Sequence, residues 1–358
     1  MADYSWLSTP CCQVPLWPQG EILRCQVCGV VYPYLGKDLA ILVPKPQAYL
    51  TQATQALQQS LQARIKQLLK FKKYIQENPS FRTNHLKQLQ QAYEHNLRLL
   101  SSVMSSIPDS ILPPKEDACV GRVSYSDLDT CLNYLRRDWG VNALSQQEVA
   151  TIVSRVHRLL NAYADPSQQA VFLGAGLGRF AYELSPCFKK TLAIDRSMLM
   201  GCFYHKLQQQ SIDFYNIKLK NAEHNTQQCE FVHATMQPTS ENLTYAVADA
   251  RTLPLAKHSV CAIVSIYFTD VLPWSQLWSE VMRVLKPGGV FIHYGPLQYH
   301  FKAIQAHYSA DDLRADMQSQ GFVLYDEQWT SQHHLRESLA LEHIYKNWSF
   351  AAIRGSQS

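Results

Sequence analysis

The apolar and polar positions of the chain divide it into three stretches of different period. Between 121 and 358, short apolar runs alternate with helical spacing, and five of them, AVFLGAG, TLAID, TYAVAD, CAIVSIYF and GVFIHYG, are compact and largely β-branched or aromatic. Runs of this kind predict strands covered on both faces by helices, hence an α/β, doubly wound parallel sheet. Between 47 and 106 the period changes. Leu86, Leu89, Tyr93, Leu97, Leu100 and Met104 keep steps of three and four, and Leu50, Leu57, Leu61, Ile65 and Leu68 fall on an earlier helical stretch. ENPSF at 77–81 separates the two stretches, which predicts an antiparallel helical hairpin acting as a packing and lid element. SSIPDSILPPKED at 105–117 has the composition of a linker. Residues 1–46 form a third unit, short and cysteine-bearing.

Composition narrows the picture modestly. The 358 residues allow one large catalytic core with additions. At 46% hydrophobic and 17% charged the chain can bury a core, and the net charge of +4 is not gathered into one run, so nothing calls for nucleic acid. No stretch approaches the roughly 18–20 apolar residues of a membrane span, and the N-terminus lacks a basic segment followed by an apolar core. These features predict a soluble, cytoplasmic protein. Of the ten cysteines, Cys131, Cys187, Cys202 and Cys261 sit in apolar segments, where buried thiols are ordinary.

Four others are organised. Cys25-x-x-Cys28 follows a short apolar strand and precedes a glycine, the knuckle that lets two thiolates reach one tetrahedral zinc, and Cys11 and Cys12 offer further ligands. The layout CQVCGVVYPYLG resembles the zinc-ribbon proteins of the Trm112 type. It departs from them in the first knuckle, where Thr9 falls at the expected first cysteine. Two readings stay open: structural zinc with Cys11 as substitute, or a ribbon that kept its shape without metal.

The chemistry concentrates at strand ends. In VFLGAGLGRFAYELS, from Val171 to Ser185, a strand passes through Gly174, Ala175, Gly176 and Gly178 straight into a helix led by Arg179. Such a turn lets backbone approach a ligand that a Cβ would exclude. The dinucleotide fingerprint is not met, because the third glycine comes one residue early. Seventeen residues on, TLAID delivers Asp195, followed by Arg196, where a carboxylate can accept both ribose hydroxyls of an adenosine; VADARTLPL then sets Asp249 and Ala250 where the adenine amino group would lie. Either acid alone is more often a solvated loop residue. Together with EVMRVLKPGGVFIHYG, which resembles the segment before the fifth strand of class I S-adenosylmethionine methyltransferases, they predict a Rossmann-like core using S-adenosylmethionine.

A closer resemblance lies in RRDW at 136–139, GAGLGR at 174–179, YFTD at 267–270 and GPLQYHF at 295–301. These are similar, in order, to motifs of the carnosine N-methyltransferase family, which methylates an imidazole nitrogen of histidine-containing dipeptides; the resemblance spans roughly 121–354. It implies that Asp270 accepts the N–H of the ring nitrogen that does not attack and receives the departing proton, and that His300 serves as the substrate-binding histidine. Tyr267 and Phe268 would flank the ring, with Tyr299 beside it, and Arg137 would hold the cofactor's methionine carboxylate. Each has a plainer reading: Asp270 as the N-cap of a helix starting in TDVLPWSQL, His300 as a surface histidine, Tyr299 as core, Arg137 in a surface ion pair. The family's C-terminal tyrosine cluster is reduced to HIYKNWSFAAIR, where Tyr345 is the best match and Trp348 is nearby. The expected substrate is therefore a small imidazole-containing molecule whose far end differs from carnosine's, with a homodimer as the expected assembly. The alternatives are a methyltransferase acting on RNA or protein, using the ribbon as its recognition module, and a non-catalytic protein that kept the fold.

Overall fold

The computed structural model describes residues 3–19, 22–35, 39–105, 107, 127–238, 241–336, 340 and 342–355. Apart from Ser105 and Ile107, the linker expected at 105–117 lies outside them.

Three short antiparallel strands, β1 (Trp17–Gln19), β2 (Ile22–Arg24) and β3 (Val31–Tyr32), open the chain, followed by β4 (Tyr34–Leu35) and β5 (Leu39–Leu42). Helices α1 (Pro46–Glu77) and α2 (Thr83–Ser105) form the hairpin. Next come α3 (Leu128–Trp139) and α4 (Ala143–Tyr163), whose first turns are capped by the side chains of Asp127 and Asn142 accepting from Thr130 N–H and Ser145 N–H. The alternating unit follows: β6 (Gln169–Leu173), α5 (Arg179–Leu184), β7 (Lys190–Asp195), α6 (Met198–Gln209), a separate hairpin of β8 (Ile212–Ile217) and β9 (Cys229–Ala234) enclosing the one-turn α7 (Asn225–Gln228), then β10 (Leu243–Ala248) and β11 (Val260–Ile266). Helix α8 (Trp274–Val284), β12 (Leu285–Gly295), α9 (Ala310–Ser319), β13 (Phe322–His333) and β14 (Ile344–Arg354) complete the chain.

The main sheet has nine strands in the order β13-β14-β12-β11-β6-β7-β10-β5-β4. β14 is antiparallel to both neighbours and β4 to β5, while the other pairings are parallel. Strand period sorts the side chains: Phe172 joins a core with the hairpin and α3 to α6, whereas Val171 and Leu173 face the opposite core with α8, α9 and the N-terminal strands. The N-terminal 46 residues are therefore shared out. β1 to β3 lie on one face of the sheet, and β5 extends its edge by pairing with β10 through Ala40, Ile41 and Leu42.

The order of connections reverses between β6 and β11, where successive strands leave in opposite directions. Outside the carboxyl ends of those two strands lies the crevice in which open α/β sheets receive their ligands.

Candidate active site

At the end of β6 the chain turns through three glycines, all left-handed, with φ of +58° at Gly174, +55° at Gly176 and +78° at Gly178. Their surroundings differ. A Cβ on Gly174 would lie 2.1 Å from Cδ2 of Phe268, and one on Gly178 2.5 Å from Cε2 of Tyr204. A Cβ on Gly176 would meet no protein atom within 4 Å. The outer glycines are thus required by packing, and Gly176 presents bare backbone to the crevice. Ala175 N–H donates to the Ile194 carbonyl at 2.7 Å, and the Gly176 carbonyl accepts from Tyr245 Oη–H at 2.6 Å, tying the turn to the strands that follow.

Asp195, at the end of β7, accepts from Gly176 N–H at 2.9 Å and Ser197 N–H at 2.7 Å. Burial pushes its carboxyl above the ordinary range despite these bonds. Arg196 is steadied by Tyr49 of α1, whose hydroxyl donates to its carbonyl. Asp249 lies at the end of β10, as expected, and is engaged within the protein: both oxygens accept from Arg251, and Arg196 Nε lies 3.2 Å away. Burial opposes its ionisation, but the two guanidinium groups outweigh it and hold the carboxyl below the usual range. Ala250 beside it is buried.

Arg137 is buried on the inner side of α3, not in a surface ion pair. Its Nε donates to Asp138 at 2.7 Å, and its guanidinium lies 4.8 Å from the Tyr134 ring, 5.1 Å from Phe180 and 6.0 Å from Tyr267. Its Nη1 is buried without a partner. Arg179 faces another way, donating to the Asp138 carbonyl and pairing with Glu183 over the Trp139 ring.

The turn after β11 carries YFTD. Tyr267 has φ +55°, unusual for a residue with a Cβ, and its N–H donates to the Tyr294 carbonyl at 2.8 Å. A buried chain braces the turn: His293 Nε2 faces the Gly295 carbonyl at 3.2 Å and Nδ1 faces Thr269 Oγ1 at 2.8 Å, which in turn meets Ser265 Oγ at 2.7 Å. With a carbonyl opposite Nε2, the proton sits there, so Thr269 donates to Nδ1 and Ser265 to Thr269. Burial brings His293 down to about 3, which keeps it neutral.

Asp270 is buried and does not cap α8, which begins four residues later. Its Oδ2 accepts from Gln298 N–H at 2.9 Å and its carbonyl from His300 N–H at 3.1 Å, so GPLQYHF is fastened over the YFTD turn. Burial raises its carboxyl, and the hydrogen bond from Gln298 N–H partly counters that. The His300 side chain is exposed. Tyr299 stacks on His307 at 5.0 Å with its hydroxyl donating to the Tyr308 carbonyl.

Tyr345 on β14 completes the wall together with residues that sequence reasoning missed. His334 is stacked on Tyr345 at 4.4 Å and meets the Tyr267 ring edge-on at 4.8 Å; its Nδ1 is buried without a hydrogen bond, 3.8 Å from Glu148 Oε1. Burial and the nearby Arg137 charge lower it to about 3. Glu148 on α4 fixes it in place by accepting from Leu335 N–H at 3.2 Å and Arg336 N–H at 3.1 Å. Asn347 reaches the hydroxyls of Tyr267 and Tyr294 at 3.4 and 3.5 Å. For His334 the sequence signal is the histidine pair closing the polar–aromatic run FVLYDEQWTSQHH; Glu148 and Asn347 carry none of their own.

Separately, the sulfurs of Cys11, Cys12, Cys25 and Cys28 lie within 4.8 Å of one another. Tyr32 Oη–H donates to Cys11 Sγ at 2.8 Å, and buried Thr9 occupies the neighbouring position.

A sheet in this order, with a glycine turn at its point of reversal and acids on the next two strand ends, defines a Rossmann-like class I methyltransferase. The chain belongs to the carnosine N-methyltransferase family, whose description matches residues 114–355. No curated protein matches it. Similar solved structures include the YcgJ protein of Bacillus subtilis, 14% identical over 59% of this chain and 100% of that one, with a TM-score of 0.39. Another is the magnesium protoporphyrin IX methyltransferase of Synechocystis, 16% identical over 63% of this chain and 90% of that one, at 0.39. A third, phosphoethanolamine N-methyltransferase 2 of Haemonchus contortus, is 15% identical over 57% of this chain and 53% of that one, at 0.35.

Proposed function

We propose that this methyltransferase transfers a methyl group from S-adenosylmethionine to an imidazole nitrogen of a histidine derivative or histidine-containing dipeptide, carnosine being one candidate. The cofactor fits the crevice on two observations: the orphaned Nη1 of buried Arg137, a donor suited to a carboxylate, and the open space over Gly176. S-adenosylmethionine supplies an electrophilic methyl group on its sulfonium. Arg137 binds its carboxylate end, the turn from Gly174 to Gly178 approaches its middle, Asp195 and Arg196 face the ribose, and Asp249 with Ala250 border the adenine. Arg179 holds the turn's helix against Trp139.

The residues of the opposite wall act on the substrate. Tyr267, Phe268 and Tyr345 flank a flat ring, and Tyr299 supports the loop above it. A neutral imidazole attacks through the nitrogen without a proton, so the tautomer decides which nitrogen is methylated. Asp270 selects the tautomer by accepting the N–H of the other nitrogen, stabilises the imidazolium as it forms, and takes its proton, with His300 at the rim as relay to solvent. Buried Asp270, its Oδ2 bonded to Gln298 and its position fixed by GPLQYHF, is the observation that carries this reading. Asp270→Asn tests it: turnover should fall about 10²–10⁴-fold while binding of S-adenosylhomocysteine stays within about twofold. Turnover at the wild-type rate would refute the role.

The four N-terminal cysteines hold a structural zinc in this reading. Tetrahedral thiolates at about 2.3 Å from a metal stand about 3.8 Å apart, inside the 4.8 Å within which all four sulfurs lie.

A further inference from the structure

Helix α1 changes character along its length. Its first half packs into the core through Tyr49, Leu50, Ala53 and Leu57, but from residue 58 to 74 none of its side chains is buried, about 25 Å of helix at 1.5 Å per residue. The inner side of this outer half meets α2 and the start of α3. Phe71 packs edge-on against Tyr93 at 6.3 Å, Lys72 pairs with Glu94 at 2.8 Å, and Arg64 is held by Asp129 at 3.0 Å. Its outer side is a shallow furrow lined by Gln62, Ile65, Lys66, Leu69, Lys70 and Lys73, a single stripe at helical spacing.

The hairpin is strongly basic. From 46 to 105 the chain has eight lysines and arginines against two acids, Glu77 and Glu94, an excess of six where the whole chain has +4. Spread over two helices, this excess forms no run in the sequence; folding the hairpin gathers it. Lys66, Lys70, Arg82 and Lys87 form no ion pair among the described residues, and Lys73 keeps an exposed one with Glu77 at 3.6 Å. Apolar groups stand in the same region: Leu69 is 59% exposed, Tyr74 55%, and Phe81, in the turn at the apex, 98%. A ring left wholly in water at the apex of a basic hairpin marks a contact surface rather than a packing one.

We infer that the outer half of this hairpin binds an anionic lipid surface, with Lys66, Lys70 and Lys73 on the headgroups and Leu69 and Phe81 entering the boundary with the acyl chains. No described helix is long and apolar enough to cross a bilayer, so the contact is peripheral. A helix with lysines on its polar side and Leu, Phe or Tyr beside them suits such an interface, where long lysine stems also lie on apolar surface. The aliphatic side chains decide between partners. An RNA strand stacks bases on Phe81 and Tyr74 and neutralises lysines, yet it offers Ile65 and Leu69 nothing, and an acidic protein has to match the furrow in shape. A fluid anionic surface accepts both kinds of group without a fitted partner. The contact shares no residue with the methyl-transfer crevice, so it places the enzyme at a surface without entering its chemistry.

The test is flotation of the full-length protein with vesicles of phosphatidylcholine alone and of phosphatidylcholine containing about 30% phosphatidylserine. Binding should be at least about tenfold tighter to the anionic vesicles and should weaken as salt rises from about 0.05 to about 0.5 M. Lys66→Gln/Lys70→Gln/Lys73→Gln should lose about 100-fold, roughly fivefold for each lysine, and Phe81→Ser about tenfold. Both should keep Tm within about 2 °C and S-adenosylhomocysteine affinity within about twofold, because none of these side chains is buried. Absence of binding to the anionic vesicles, or wild-type binding by either variant, would overturn the inference. Salt-sensitive binding of a single-stranded RNA, lost in the same variants and without any vesicle binding, would overturn it too and assign the surface to nucleic acid.

Discussion

Two glycines two residues apart should fail in different ways when replaced by alanine. Gly174 and Gly176 have nearly equal φ, +58° and +55°, so the backbone strain of a Cβ is shared, about 1–2 kcal/mol at each. They differ in what the methyl meets. At Gly174 it lies 2.1 Å from Phe268 Cδ2 and 2.7 Å from Cγ, so the ring must move bodily, adding about 1–3 kcal/mol of overpacking. At Gly176 it meets nothing within 4 Å. Gly174→Ala should therefore lose about 2–5 kcal/mol and roughly 3–7 °C in Tm, against roughly 1–3 °C for Gly176→Ala. Calorimetric titration with S-adenosylhomocysteine should show the complement: Gly176→Ala loses at least about tenfold in affinity although it folds well, because its methyl fills the space a ligand's approach requires. Scanning calorimetry together with that titration decides the matter. Wild-type affinity in Gly176→Ala, or equal stability of the two variants, would refute the division between a packing glycine and a binding one.

Arg137→Gln should weaken S-adenosylhomocysteine about 10–100-fold yet leave methylthioadenosine, which lacks the amino-acid carboxylate, nearly unaffected; equal losses on both would mean the residue is merely structural. The acid limb of kcat/KM should follow the substrate's own imidazole, near pKa 6.5, rising as pH rises through it, because His293 and His334 at about 3 stay neutral across that range. A substrate with a shifted ring pKa should move the limb equally; a limb that stays fixed would contradict the account. The purified protein should carry about one zinc per chain by elemental analysis, lost in Cys25→Ser together with several degrees of Tm, whereas metal-free wild type would support the ribbon without metal.

Much of the fold could be read from local pattern, because buried parallel strands and amphipathic helices advertise themselves within a dozen residues. The five apolar runs became β6, β7, β10, β11 and β12, and ENPSF does separate α1 from α2. What local pattern hid was long-range. LAIL at 39–42 looks like one more ribbon strand, and only its pairing with β10 reveals it as part of the main sheet. β13 is mostly solvent-facing, so its polar and aromatic residues show no apolar run, and β8–β9 stands apart from the central core.

The site divides in the same way. Its glycines and acids sit at strand ends, where position follows from the strand. His334, Glu148 and Asn347 reach the crevice only through the antiparallel return of β13 and β14 and the clamp from α4, about which their own neighbours in sequence say nothing. Asp249 shows the opposite limit: its place at a strand end was legible, while its capture by Arg251 two residues on was not.

The most direct test is a mass-spectrometric turnover assay with S-adenosylmethionine and a panel of histidine, histidine dipeptides, histamine and thiol-bearing histidine derivatives. The account predicts a gain of one methyl group on a ring nitrogen of at least one member. No methylated product from any member, with S-adenosylmethionine binding confirmed by calorimetry, would contradict it.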